Sequence, residues 1–254
     1  MIVIYRESFK NIPTLVLADS AKADQPLPVF TYFHGFTSAK EHNLAQAYLL
    51  AQKGYRVVLP DSLHHGDRDD NLSRQDLSFK FWEIVYQNLK DIQDIKDELD
   101  QRNLILDRRF GIGGTSMGGV TTAAAVTMYP WIQAGAVMMG SPKPVEFAKK
   151  LIQDVEQTGI QLPIPPDELE ELYQSLASID LSLNAHKVKE KPLFFWHGDA
   201  DPVVPFEHSY DFYNEIVSQY RNPENIRFLR ETGAGHKVSR FAILEMVNWI
   251  EIVL

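Results

Sequence analysis

The sequence contains no cysteine. Disulfides, thiolate metal sites and a cysteine nucleophile are thereby excluded. No Lys/Arg-rich run is present, and acidic residues outnumber basic ones by 34 to 25, for a formal net charge of −9. Nucleic acid is not an expected partner of such a chain, and an acidic surface mildly repels anionic substrates and anionic membranes. No apolar run approaches the length of a membrane span. Residues 1–10 lack the basic and then apolar regions of a secretory signal. A cytoplasmic location without membrane association is expected. What remains is 254 residues, 44% of them hydrophobic, enough to bury the core of one large domain.

Residues 1–5 and 14–18 are short, apolar and β-branched, and read as an opening antiparallel pair with its turn near 11–13. Further strands are expected at 29–33, 55–59, 110–113, 134–139, 193–196 and 226–229, and helices at 41–53, 79–99, 120–128, 207–220 and 239–253. Residues 67–76 are charged and turn-like. Strands alternating with helices predict an α/β fold with a mostly parallel sheet covered on both faces. Residues 144–186 break that alternation with an amphipathic stretch, Pro163, Pro165 and Pro166, and an acidic helical segment at 167–176. They read as a small cap or lid inserted into a single domain spanning 1–254. The apolar residues Leu151, Ile160, Leu162 and Ile164 in this segment fit either a pocket lining or a homodimer contact.

Gly114-Thr115-Ser116-Met117-Gly118 has the form G-x-S-x-G. A short apolar strand runs into it and a small-residue helix runs out, the context a nucleophile elbow needs. Such a turn lifts the serine hydroxyl out of the sheet, where a general base can reach it. His236, in Gly233-Ala234-Gly235-His236 between the last strand and the last helix, is the candidate base. His197-Gly198-Asp199-Ala200-Asp201 offers two carboxylates to orient that histidine. Asp201 is the choice, with Asp199 expected to organise the turn. The order Ser116, Asp201, His236 matches that of α/β-hydrolases rather than trypsin-like or subtilisin-like enzymes. Backbone N–H groups of Met117 and Phe36 are the candidate oxyanion donors, and His34 reads as a buried structural histidine.

Asp61, His64, His65 and Asp67 cluster in one loop, but their spacing matches no standard zinc pattern. No metal and no cofactor are expected. The loop at 60–68 is read as the rim of the site, with His65 and Trp82 contacting substrate and Phe81 and Tyr86 as core or rim aromatics. The acidic series Asp91, Asp94, Asp97, Glu98 and Asp100 reads as a solvated helix face.

These motifs occur together with Tyr32-Phe33-His34-Gly35-Phe36-Thr37-Ser38, Val58-Leu59-Pro60-Asp61, His65-Gly66-Asp67-Arg68, Met138-Met139-Gly140-Ser141 and Trp196-His197-Gly198. As a set they resemble α/β-hydrolases of the prolyl-oligopeptidase-like and dienelactone-hydrolase-like branch, and more closely small bacterial carboxylesterases. The resemblance extends over nearly the whole chain. It implies Ser116, Asp201 and His236 as the triad, Phe36 and Met117 as oxyanion donors, and hydrolysis of short acyl esters. The chain departs from dienelactone hydrolases in lacking their cysteine nucleophile, and its length leaves no room for the propeller of prolyl oligopeptidases. Ester substrates are therefore expected over peptides. The same triad could serve a thioesterase or a small peptidase. A non-catalytic small-molecule-binding protein on a hydrolase fold is the rival of another class, and it predicts a broken triad.

Overall fold

The computed structural model describes residues 1–157, 159 and 165–254. Strands β1 (Ile2–Phe9) and β2 (Ile12–Asp19) form an antiparallel hairpin. Its turn places Lys10 and Asn11 at φ 43° and 68°, the paired positive angles that suit a tight hairpin to the twist of its strands. β2 pairs antiparallel with β4 (Arg56–Pro60). All further pairings are parallel and join β3 (Leu27–Phe33), β5 (Ile105–Thr115), β6 (Ala134–Met138), β7 (Leu193–Gly198) and β8 (Ile226–Glu231). The sheet order is β1-β2-β4-β3-β5-β6-β7-β8.

The central strands are buried on both faces, which is why β3, β4 and β6 read as continuous apolar runs. One face is covered by α1 (Leu44–Gln52) and α8 (Arg240–Val253). There Ala47, Leu50, Met246 and Trp249 pack on Phe30, Val57 and Phe194. The other face carries α3 (Phe81–Gln101), α4 (Met117–Met128) and α7 (Phe206–Ile216). Leu89, Ile92, Ala124 and Phe212 pack there on Val29, Ile112 and Phe195.

The helix expected at 79–99 is α3, starting at Phe81, and a separate short helix, α2 (Arg74–Phe79), precedes it across Lys80. Three expectations are corrected in detail. Ser73 caps α2 by accepting the Asp76 N–H, so part of the charged stretch at 67–76 is helical. β5 begins at Ile105 rather than 110, through Asp107 and Arg108 at φ 50° and 59°. Asp91 is not on a solvated face. It is buried, and it accepts hydrogen bonds from Arg68 and Gln87.

Between β6 and β7 lie α5 (Pro144–Gln157) and α6 (Pro166–Ile179), followed by a short 3-10 turn at Ala185–Val188. Leu176 and Ile179 of α6 belong to the same core as α3 and α4. Phe147 of α5 packs with Ile84, Val85 and Val204. Ile160, Leu162, Pro163 and Ile164 lie outside the described residues. Among the described residues, no helix is long and apolar enough to cross a membrane.

Candidate active site

The carboxyl ends of the parallel strands meet at Ser116, where β5 stops and α4 starts. Ser116 has φ 56° and ψ −112°, a conformation that costs a non-glycine residue roughly 1–3 kcal/mol. The surroundings hold it there. Its N–H donates to the Met138 carbonyl at 2.9 Å, and its carbonyl accepts the Val120 N–H at 2.9 Å. Gly118 lets the first turn of α4 sit against β3. A Cβ at this position would fall 2.2 Å from the Phe33 carbonyl oxygen.

The Ser116 Oγ lies 2.8 Å from His236 Nε2, and His236 Nδ1 lies 2.7 Å from Asp201 Oδ2. A carboxylate accepts hydrogen bonds, so Nδ1 carries the proton and Nε2 is free to accept the Ser116 O–H. The side chain of Asp201 is fully buried. Its Oδ1 accepts the N–H groups of Val203 at 2.8 Å and Val204 at 3.1 Å, and its Oδ2 also receives the His197 Nε2–H at 3.2 Å. Burial alone raises the pKa of this carboxyl. The hydrogen bonds from His197, His236 and the Val203 backbone outweigh burial and hold it well below the usual carboxylate range.

Asp199, two residues earlier, is placed differently. It accepts from Arg230 Nε and Nη2 at 2.9 and 2.7 Å and from the Gly233 N–H at 2.6 Å. It thus ties the end of β7 to the loop that carries His236. The same two segments meet at Gly198, where a Cβ would fall 2.3 Å from the Ala234 carbonyl oxygen.

On the opposite side of Ser116 stands the loop after β3. Met117 is the first residue of α4, so its N–H is one of the helix's unpaired donors. Phe36 N–H has no acceptor among the described residues. Its neighbour Thr37, at φ 59°, donates its N–H to His65 Nε2 at 3.0 Å. His65 Nδ1–H donates to the Leu63 carbonyl at 2.8 Å. His34 Nδ1–H donates to the Gly35 carbonyl at 2.8 Å, while its Nε2 accepts the Ser62 N–H at 3.0 Å. Burial lowers the pKa of both rings, that of His34 to about 4.

His65 is 3% exposed and lines neither cavity at Ser116, so the expected direct substrate contact is corrected to support of the β3 loop. The rest of the 60–68 cluster is likewise structural. Asp61 accepts the Lys40 N–H at 3.0 Å, its ammonium at 2.5 Å and the Asp67 N–H at 2.8 Å. Among the described residues, no three His, Asp or Glu side chains are placed to hold a metal ion.

Two cavities meet at Ser116. One, about 350 Å³, is lined mainly by Phe36, Phe81, Trp82, Phe147, Leu151 and Val204. The other, about 310 Å³, has a mixed wall, with Ser38, His42, Gln46 and His236 beside Met139, Val238 and Ile243. Trp82 stands on the wall of the first cavity. Sequence reasoning missed Phe147, Val204, Asn43 and Gln46. Val204 lies just after Asp201 and was within reach of a motif argument, whereas the amides carry no motif.

Residues 41–251 match the profile of the Prolyl oligopeptidase family. "Putative esterase YitV" of Bacillus subtilis (strain 168) is 41% identical over 255 residues, covering 100% of both chains. "Esterase YjfP" of Escherichia coli (strain K12) is 31% identical over 96% of each chain. The crystal structure of TT1662 from Thermus thermophilus shares the fold, with a TM-score of 0.77 at 17% identity over 99% of this chain and 98% of that one. The sheet order, the strand-to-helix serine and a family match over most of the length agree: the chain belongs to the prolyl oligopeptidase family and has the α/β-hydrolase fold.

Proposed function

We propose that the protein is a serine carboxylesterase that hydrolyses short-chain acyl esters through an acyl-enzyme. The observation that carries this reading is the connected line from Ser116 Oγ through His236 to Asp201, at 2.8 and 2.7 Å, placed where two cavities meet. The esterase names of the two relatives support it.

His236 Nε2 takes the Ser116 proton as Oγ attacks the ester carbonyl carbon. The carbonyl oxygen becomes an oxyanion, which the N–H groups of Phe36 and Met117 stabilise. Asp201 keeps the proton on Nδ1 and stabilises the imidazolium. Collapse of the intermediate breaks the bond to the alcohol oxygen, and the alcohol leaves with the proton from His236 Nε2. Water then attacks the acyl-enzyme, giving its proton to His236, and the acid is released as Ser116 regains a proton.

Side matters in this scheme. His236 lines the smaller cavity, whose wall is mixed, and is absent from the lining of the apolar one. The leaving alcohol therefore occupies the His236 side and the acyl group the apolar side. An apolar cavity of about 150 Å³ already holds a benzene ring, so 350 Å³ has room beyond an acetyl group. Residues 144–186 act as a cap within the single domain 1–254, with Phe147 and Leu151 of α5 forming one wall of the acyl site.

The test is hydrolysis of p-nitrophenyl acetate, butyrate, octanoate and laurate by wild type and Ser116→Ala. Butyrate is expected to exceed acetate, laurate to be slowest, and Ser116→Ala to lose about 10⁴-fold or more in kcat. A folded wild type inactive on all four esters, or an active Ser116→Ala, contradicts the proposal.

A further inference from the structure

We propose that His197 is a positioning residue for the reaction, holding the Asp201 carboxylate in place and restraining its pull on His236. The inference rests on the esterase reading above and adds a further member to its hydrogen-bonded line.

His197 is the next-to-last residue of β7, and the residues before it, Leu193 to Trp196, are buried and apolar. One more apolar side chain would continue that run. Instead an imidazole stands there, fully buried and in T-shaped contact with Phe206. Its Nε2 lies 3.2 Å from Asp201 Oδ2 and 3.1 Å from the Val204 carbonyl oxygen. Both are acceptors, so Nε2 carries the hydrogen and shares it between them. Nδ1 is buried without a partner among the described residues. Turning the ring over does not relieve this, because a carbon would then face Asp201 and Val204. An orphaned buried nitrogen is unfavourable to folding, and a phenylalanine of similar size would avoid it. The chain keeps the histidine where the ring meets the carboxylate that orients the base.

The loop has other bonds for its shape. Asp201 Oδ1 takes the N–H groups of Val203 and Val204, and the Asp201 N–H donates to the Gly198 carbonyl at 3.3 Å. What His197 adds falls on Oδ2, the oxygen that meets His236 Nδ1. Two donors on each oxygen fill the roughly four lone-pair sites of a carboxylate, so the group has no second orientation to take. Burial raises the pKa of Asp201, and the His197 bond leads those that hold it low.

The two donors on Oδ2 compete. A hydrogen bond to the charged form stabilises the carboxylate and leaves Oδ2 a weaker acceptor for the His236 Nδ1–H. His197 therefore keeps Asp201 ionised and aimed, while limiting how strongly it favours a cationic His236. Removing the donor has a definite sign. Oδ2 would hold the imidazolium more tightly, and the neutral base would return only at higher pH. The other ionisable groups around this line have partners of their own. Asp199 is paired with Arg230, Glu231 accepts from Trp196 and Ser239, and His208 on α7 bonds Ser141. His42 bonds Ser38, and Lys237 is exposed.

The test is kcat/KM for p-nitrophenyl butyrate across pH by wild type, His197→Phe and His197→Gln, with Ser116→Ala as control. In His197→Phe the acid limb of the profile, which reports protonation of the base, is expected to move up by about half a pH unit, roughly threefold in proton affinity. His197→Gln, whose amide N–H reaches toward Oδ2, is expected to restore the wild-type limb. A role in loop shape alone would lower the rate equally at every pH. Ser116-dependent hydrolysis with the limb unmoved in His197→Phe, or moved as far in His197→Gln, overturns this inference and leaves the esterase reading standing. No Ser116-dependent hydrolysis by folded wild type overturns both. Because His197 is buried, a second measurement needs no variant. NMR of wild type with isotope-labelled histidine is expected to show His197 as the Nε2–H tautomer. Its Nε2–H resonance should shift when butylboronic acid binds Ser116 and perturbs His236. An Nδ1–H tautomer, or a resonance indifferent to the boronate, overturns the inference even where both variants fail to fold.

Discussion

On the β3 side of Ser116, His34 and His65 each commit both ring nitrogens to backbone groups, whereas on the β8 side His236 turns Nε2 to the Ser116 hydroxyl and Nδ1 to Asp201. The three rings lie within one site and have the same intrinsic chemistry. Their partners separate them. A ring saturated by backbone and stripped of water resists protonation and behaves as a strut. A ring that keeps one nitrogen on a hydroxyl and the other on a buried carboxylate can accept a proton and hold the resulting charge.

The contrast breaks most severely at Asp201. Asp201→Asn keeps the shape but lets Nδ1 lose its hydrogen on the acceptor side, so the wrong tautomer faces Ser116. A kcat loss of about 10³–10⁴-fold is expected on p-nitrophenyl butyrate at pH 7 with the far-UV circular dichroism unchanged. A loss under tenfold would show that Asp201 does not orient His236.

Acid separates the rings next. The folded pKa of His34 lies near 4 and the unfolded value near 6.5. Below pH 6.5 the unfolded chain takes up a proton that the folded protein refuses, so stability is lost as pH falls from 6.5 toward 4. The shift corresponds to about 3 kcal/mol once both states are protonated. Asp201, whose folded pKa is depressed, adds a loss of the same sign at lower pH. Urea unfolding from pH 7.5 to 4 should show a steady fall in midpoint, and His34→Gln, which keeps an acceptor and a donor but cannot titrate, should flatten it. An unchanged slope in that variant would contradict the assignment.

The gentlest change is at His65. His65→Phe removes the acceptor of the Thr37 N–H, which positions the neighbouring Phe36 N–H. Full loss of an oxyanion donor costs about 10²–10³ in kcat, so its displacement is expected to cost roughly 10–100-fold in kcat with KM little moved, and His65→Gln to recover part of it. A rise in KM at constant kcat would return His65 to the role of a substrate contact.

Much of this site is legible in the chain. Gly114 to Gly118 announce the elbow because a tight backbone crossing excludes side chains, and that exclusion is written locally. Turn chemistry does not separate the two aspartates: Asp201, rather than Asp199 as expected, accepts the turn N–H groups of Val203 and Val204, while Asp199 reaches across to Arg230 and Gly233. The strands are legible because burial on both faces leaves continuous apolar runs such as Val29 to Phe33. Other features leave no such trace. Asp61 and His65 look like ligand or rim residues until Lys40 and the Thr37 N–H, 21 and 28 residues away, are seen to be their partners. The start of β5 is masked by Asp107 and Arg108, polar residues in positive-φ geometry that only the pairing of Ile105 with Leu27 reveals. Asn43 precedes α1 and Gln46 lies in its first turn, both buried, and nothing local distinguishes a buried amide from a solvated one. Polar pairing across long separations has no period, and so no signature in a single sequence.

The central claim, that Ser116 is the nucleophile driven by His236, is tested most directly by trapping the acyl-enzyme. Wild type mixed with p-nitrophenyl butyrate, quenched in acid within milliseconds and digested, should carry one butyryl group on the peptide containing Ser116. Ser116→Ala should carry none, and His236→Ala should acylate far more slowly. A butyryl group found on another residue, or turnover by Ser116→Ala at a wild-type rate, would contradict it.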